Sequence, residues 1–131
     1  MVATSLARER VGNHSCDGRR RRSELALDFP AVDFVEVEAE DDDMWPHKED
    51  PPHGAVLPQY SSCCLARAQR LLQWLWERPE KDIAVVTHWV FLQHLLRPYP
   101  ELADAKPFGN AELRHVTLVR GPPPDRVREE L

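Results

Sequence analysis

Apolar positions settle into a helical period in the second half of the chain. From about Ser61 to Arg78, Leu65, Ala68, Leu71, Leu72, Leu75 and Trp76 fall on one side of a helix of about 3.6 residues per turn. Arg67, Arg70, Trp74 and Arg78 fall on the other side, and Pro79 closes the segment. The next run, Ile83-Ala-Val-Val-Thr87, is apolar and β-branched without alternation, the pattern of a strand buried on both faces. His88 follows it, and "WVFLQHLLR" resumes the helical pattern until Pro98. A further strand is expected at Leu113 to Val119.

The first half is less regular. Met1 to Val11 reads as a strand end or loop running into a helical turn, and Val32 to Val37 alternates apolar and acidic residues as a short strand does. Prolines cluster at Pro46 to Pro58, an expected irregular loop, and at Pro122 to Pro124, within a tail (120–131) expected to be disordered. Helix, buried strand, tight junction, helix and strand is the order of an α/β fold with a parallel sheet. Ligands of such sheets sit beyond the carboxyl ends of the strands. His88 stands at that edge. It is either a buried packing histidine or a group facing the ligand crevice, where free helix N–H groups favour anions.

Composition narrows the function classes. The 131 residues suit a single domain, and a hydrophobic content of 42% with 30% charged residues suits a soluble one. A net charge of −5 argues against a general nucleic-acid binder. The charge is unevenly spread: Arg19 to Arg22 is a basic block and Glu36 to Asp43 is almost wholly acidic, a pair expected to be solvated loops. Three cysteines, Cys16, Cys63 and Cys64, make no disulfide framework, and no leader is evident at Met1 to Arg10, so a reducing, cytoplasmic setting is expected. No run approaches the about 18 to 20 apolar residues that span a bilayer, so no membrane partner is expected. His47 and His53, with Asp41 to Asp43 and Cys63 and Cys64, lack the spacing that puts two ligands on one ion, and no metal or other cofactor is expected. There is no nucleophile elbow and no glycine loop for phosphate.

Five phrases resemble one family. "RERVGNHSCDGR" (Arg8 to Arg19), "FPAVDF" (Phe29 to Phe34), "EDDDMW" (Glu40 to Trp45), "LLQWLWERPEKDIAVVTH" (Leu71 to His88) and "FGNAELR" (Phe108 to Arg114) occur in the order found in small phosphoglycerate mutase-like members of the histidine phosphatase superfamily. The resemblance implies a three-layer α/β/α domain with a mostly parallel central sheet over residues 1–119. It also implies phosphomonoester hydrolysis or phosphoryl transfer through a phosphohistidine. Carried over by position, His88 matches the second active-site histidine, which contacts the transferring phosphoryl group, and Glu9 the proton donor to the leaving oxygen. Arg19 or Arg20 matches a basic position near the phosphate or substrate, while Asn110 and Glu112 match a motif that lines the pocket. The ligand implied is a phosphorylated small molecule or a phosphate-like anion.

The chain also departs from that pattern. No histidine here is preceded by Arg and followed by Gly, the signature of the family nucleophile; His53-Gly54 follows Pro52 and comes after Glu9. The expectation is a truncated domain without its N-terminal strand and helix, weakly active or inactive as written. Trp89 and Val90 replace the small residues usual after the second histidine, and "SSCCLA" replaces an acidic helix residue before Arg67. The competing expectations are a non-catalytic module that binds phosphate or a partner, and an interaction protein using the Arg67, Arg70, Trp74 and Arg78 face.

Overall fold

The computed structural model describes residues 1–11, 14–45, 62–99, 102 and 108–119. The proline-rich loop at 46–58 and the tail at 120–131 lie outside the described residues. Strand β1 (Val2–Thr4) pairs in parallel with β2 (Asp33–Glu36), Val2 opposite Asp33 and Thr4 opposite Glu36, with an irregularity between them. A parallel pair requires a crossover, and helix α1 (Arg22–Asp28) lies within it. A 3-10 turn at Ser5–Ala7 follows β1, its first N–H groups capped by the Thr4 hydroxyl, which accepts from Leu6 N at 3.2 Å. The remaining helices are α2 (Ser62–Glu77) and α3 (Trp89–Leu96).

The core lies where α2, α3 and the 3-10 turn meet. Ala68 and Leu71 of α2 and Phe91 and Leu95 of α3 are buried together, and Leu6, Ala7, Leu72, Trp74, Leu75 and Leu92 close around them. The buried stripe of α2 runs through Cys64, Arg67, Ala68, Leu71, Trp74 and Leu75, intervals of three and four. It is therefore rotated from the expected one. Trp76 is 40% exposed, whereas Arg67, expected on the solvent face, is only 4% exposed. The reason is that Arg67 finds hydrogen-bond acceptors inside, which periodicity alone does not reveal. This removes it from any exposed interaction face, although Arg78 still stacks over Trp74 at 5.0 Å.

Two expected strands do not form among the described residues. Ile83 to Val86 is exposed, Val86 at 88%, and neither it nor Leu113 to Val119 pairs with a strand. Apolar, β-branched sequence is suited to a sheet interior, but a strand exists only against a neighbour that completes its hydrogen bonds. Among the described residues β1 and β2 pair only with each other. The structure is compatible with an α/β class through its parallel pair and helices.

The basic block and the acidic run, expected as separate solvated loops, dock on one another. Arg19 donates to the carbonyls of Ala39, Glu40 and Asp41, and Arg21 pairs with Asp41 at 3.0 Å. Arg22 N–H donates to the Glu40 carbonyl at 2.9 Å. The positive end of the α1 dipole disfavours arginines in the first turn, and the Glu40 carboxylate answers this by accepting from Ser23 N and Oγ. The Ser23 hydroxyl bond, aided by Arg21 and Arg22, lowers the pKa of Glu40.

Trp45 ends the acidic run and fixes its approach. Its indole N–H donates to the His14 carbonyl at 2.8 Å, and a Cβ at Gly18 would stand 3.1 Å from Trp45 Cδ2. Gly18→Ala is expected to displace the indole at a cost of about 1 kcal/mol. Thermal melts and Trp fluorescence would check it: an unchanged melting temperature would mean that Trp45 does not pack there.

Candidate functional site

Two distant residues, Glu9 and His88, converge on the start of α3. His88 is the N-cap, with extended backbone (φ −107°, ψ 162°), and its carbonyl accepts from Leu92 N at 3.0 Å. Its imidazole is exposed and makes no capping hydrogen bond, so His88 does not pack as a core histidine. That role falls to His94, which is buried, with Nδ1 2.8 Å from the Val90 carbonyl.

Glu9 supplies what the cap lacks. Its carboxylate accepts from Phe91 N at 3.0 Å and Val90 N at 3.3 Å, and also from its neighbour Arg10 N at 2.7 Å. The first N–H groups of a helix have no partner within it, and they carry the positive end of the dipole. Glu9 thus sits as an anion on α3, bonded to the second and third residues after His88.

The loop that carries Glu9 is held at three points. The Thr87 hydroxyl donates to the Ala7 carbonyl, joining the segment before His88 to the 3-10 turn. From α2, Arg67 donates to the carbonyls of Arg8 at 2.6 Å and Glu9 at 3.0 Å, with longer contacts of 3.4 Å to those of Ser5 and Leu6. Burial lowers the Arg67 pKa, with the adjacent Cys64 and the charge of Glu9 opposing; a guanidinium stays protonated at neutral pH regardless. A third tie comes through Arg8, which pairs with Asp42 at 2.6 Å and donates to the Asp17 carbonyl. Burial would raise the Asp42 carboxyl, but bonds from Arg8, Arg19 N and Met44 N outweigh it and hold the group well below the usual carboxylate range.

The other sequence-derived candidates stand elsewhere. The Arg19 guanidinium is directed to main-chain carbonyls, and Arg20 pairs with Asp28 at 2.7 Å on the surface. Asn110 is exposed in a turn closed by Glu112, which accepts from Gly109 N at 2.6 Å and pairs with Arg114 at 2.7 Å. Ala111 in that turn has φ 56°, a left-handed conformation that costs a residue with a Cβ about 1–2 kcal/mol. The bonds of Arg19 and Arg20 thus run to the acidic segment and to Asp28, and Glu112 bonds within its own turn and to Arg114.

Four participants were not singled out from sequence: Arg8, Arg10, Asp42 and Thr87. Arg10 Nη1 is buried without a hydrogen-bond partner, a costly state for a guanidinium nitrogen. The clue available in the sequence was the density of charge in "RER" beside a valine that is buried. Among the described residues no group of three or more His, Cys, Asp or Glu could hold a metal ion, and no helix is long and apolar enough to cross a membrane.

Comparison with known proteins gives the chain a lineage. The chain is 36% identical over 126 residues to phosphoglycerate mutase-like protein 1 of Arabidopsis thaliana, a match covering 91% of this chain and 42% of that protein. A second phosphoglycerate mutase-like protein of the same plant is 35% identical over 125 residues, covering 90% and 43%. Phosphoglycerate mutase-like protein 2 is 34% identical over 115 residues, covering 82% and 31%. The chain belongs to the phosphoglycerate mutase-like family. It spans less than half the length of the curated relatives it matches. No family model matches the chain, nor does any solved structure. Within this phosphoglycerate mutase-like chain, the Glu9 and His88 phrases meet at one helix end although 78 residues lie between them in the sequence.

Proposed function

We propose that the start of α3 is a phosphoryl site, part of a three-layer α/β/α histidine phosphatase domain. His88 contacts the phosphoryl group of a phosphorylated small molecule, and Glu9 supplies the proton to its departing oxygen. The observation that carries this reading is the seating of an anionic group, the Glu9 carboxylate, on the Val90 and Phe91 N–H groups beside the exposed His88. Family membership supports it, and the buried, unpartnered Arg10 nitrogen next to Glu9 is consistent with an anion to be bound.

In the full reaction a histidine nitrogen attacks phosphorus, the ester P–O bond breaks, and Glu9, entering the step protonated, gives its proton to the departing alkoxide and is left as the carboxylate seated on the Val90 and Phe91 N–H groups. Water then cleaves the phosphohistidine, or an acceptor alcohol takes the phosphoryl group. This sequence has no Arg-His-Gly phrase to supply that nucleophile. The 131 residues alone are therefore proposed to bind phosphate-like anions while turning over little, because loss of one member of a catalytic unit costs several orders of magnitude. The setting proposed is cytoplasmic, with neither nucleic acid nor membrane as partner. A purely binding role is favoured by Trp89, a large, 43% exposed side chain directly after His88.

Orthovanadate titration of the isotope-labelled chain tests the site. Binding should shift the His88, Val90 and Phe91 resonances, and His88→Ala should weaken it at least tenfold. Hydrolysis of p-nitrophenyl phosphate should stay near background in both. Vanadate that shifts none of these resonances would refute the site, and wild-type hydrolysis well above background that is unchanged in Glu9→Gln would refute the proton donor.

A further inference from the structure

We infer that Arg67 is a positioning residue for Glu9: from α2 it holds the loop so that the carboxylate faces α3 beside His88. The role in chemistry rests on the phosphoryl reading above, while the positioning itself can be measured separately.

A guanidinium only 4% exposed on a helix face that otherwise buries Ala68 and Leu71 is costly to desolvate. If it served packing alone, an apolar side chain would fill the position at no such cost. If it served as a counter-ion, the carboxylate of Glu9 would be its natural partner. Neither arrangement is found. Arg67 makes no ion pair with that carboxylate; it grips the carbonyls of Arg8 and Glu9 instead. The acid is thereby left to bond Val90 N and Phe91 N.

The three residues form a closed circuit. Arg67 holds the Glu9 main chain, the Glu9 side chain holds the Phe91 N–H, and the Phe91 ring lies under the Arg67 guanidinium at 5.0 Å. Cys64, one turn earlier on α2, steadies the fork with its sulfur 3.4 Å from Nη2. A planar fork can reach two carbonyls and stack on a ring together; an ammonium cannot. Arg67→Lys should thus keep the charge and lose the alignment.

The test follows Val90 and Phe91 amide resonances of the whole labelled chain as pH is lowered. Amides bonded to a carboxylate shift when it protonates, so both should move in the wild type and stay still in Glu9→Gln. In Arg67→Lys the pH-dependent movement should fall by at least half. Leu95→Ala, which removes core volume near the other end of α3, should retain it. Full movement in Arg67→Lys would overturn the proposal. Should that variant not fold, hydrogen exchange in the wild type decides. Protection of the Arg67 guanidinium and of the Val90 and Phe91 amides should be lost together with rising urea, and independent loss would overturn it. A chain that binds no vanadate yet shows Arg67-dependent movement would refute the phosphoryl reading alone.

Discussion

Phe91→Ala should cost about 4 kcal/mol, enough to leave much of the protein unfolded at physiological temperature. Phe91 is fully buried, and it anchors the contact between α2 and α3 in a core with few other buried residues. Truncation to alanine removes the transfer free energy of the ring and leaves a cavity that helices on both sides cannot fill by collapse. It also takes away the face on which the Arg67 guanidinium rests at 5.0 Å, so a buried cation loses a favourable contact. Phe91→Leu should cost only about 1–2 kcal/mol, since most of the volume remains. Urea unfolding followed by circular dichroism measures both. A Phe91→Ala chain within about 1 kcal/mol of the wild type would rule out the packing of α2 on α3 described above.

The second large effect is acid sensitivity set by Asp42, whose side chain is 6% exposed and paired with Arg8. Its folded-state pKa lies below the unfolded value, so the sign is that of a depressed carboxylate. The stabilisation is complete above the unfolded pKa, about 3.9, and is lost as pH falls below it toward the folded-state value. Asp42→Asn should cost about 3 kcal/mol at pH 7, because Arg8 is left partly buried without its anion. The gap between variant and wild type should narrow progressively below about pH 4. Urea midpoints measured from pH 7 to pH 2 check this, and a gap that did not depend on pH would mean that the Asp42 charge is not what stabilises the fold.

Some of this was legible in the sequence and some was not, for reasons that can be stated residue by residue. The existence and span of α2 and α3 followed from apolar period and from Pro79 and Pro98. The rotation of α2 did not, because an arginine in a pattern reads as solvent-facing and only carbonyls from a loop some sixty residues away make its burial tolerable. The short strand within Val32 to Val37 formed because β1 lies beside it; Ile83 to Thr87 has better strand composition, yet no described neighbour completes it. Likewise nothing local in Arg19 to Arg22 says that its partners are Ala39 to Asp42. Matched phrases implied one site for Glu9 and His88, and the structure brings both to the start of α3. The bonds that bring Glu9 beside His88, from the Val90 and Phe91 N–H groups to its carboxylate, exist only once the chain has folded.

The separation between Glu9 and the helix that donates to it bears on synthesis of the chain. Glu9 and the amides that receive it lie 81 and 82 residues apart. At ribosomal speeds of about 5–20 residues per second, on the order of ten seconds pass between the appearance of the acid and that of its helix. Throughout that interval Leu6 and Ala7 have no complete core to enter, since Phe91 is still to be made, and for most of it Leu71 is missing as well. Nascent chains caught at that stage should therefore be the form most readily captured by chaperones, and slowing translation after α2 should lengthen the vulnerable period.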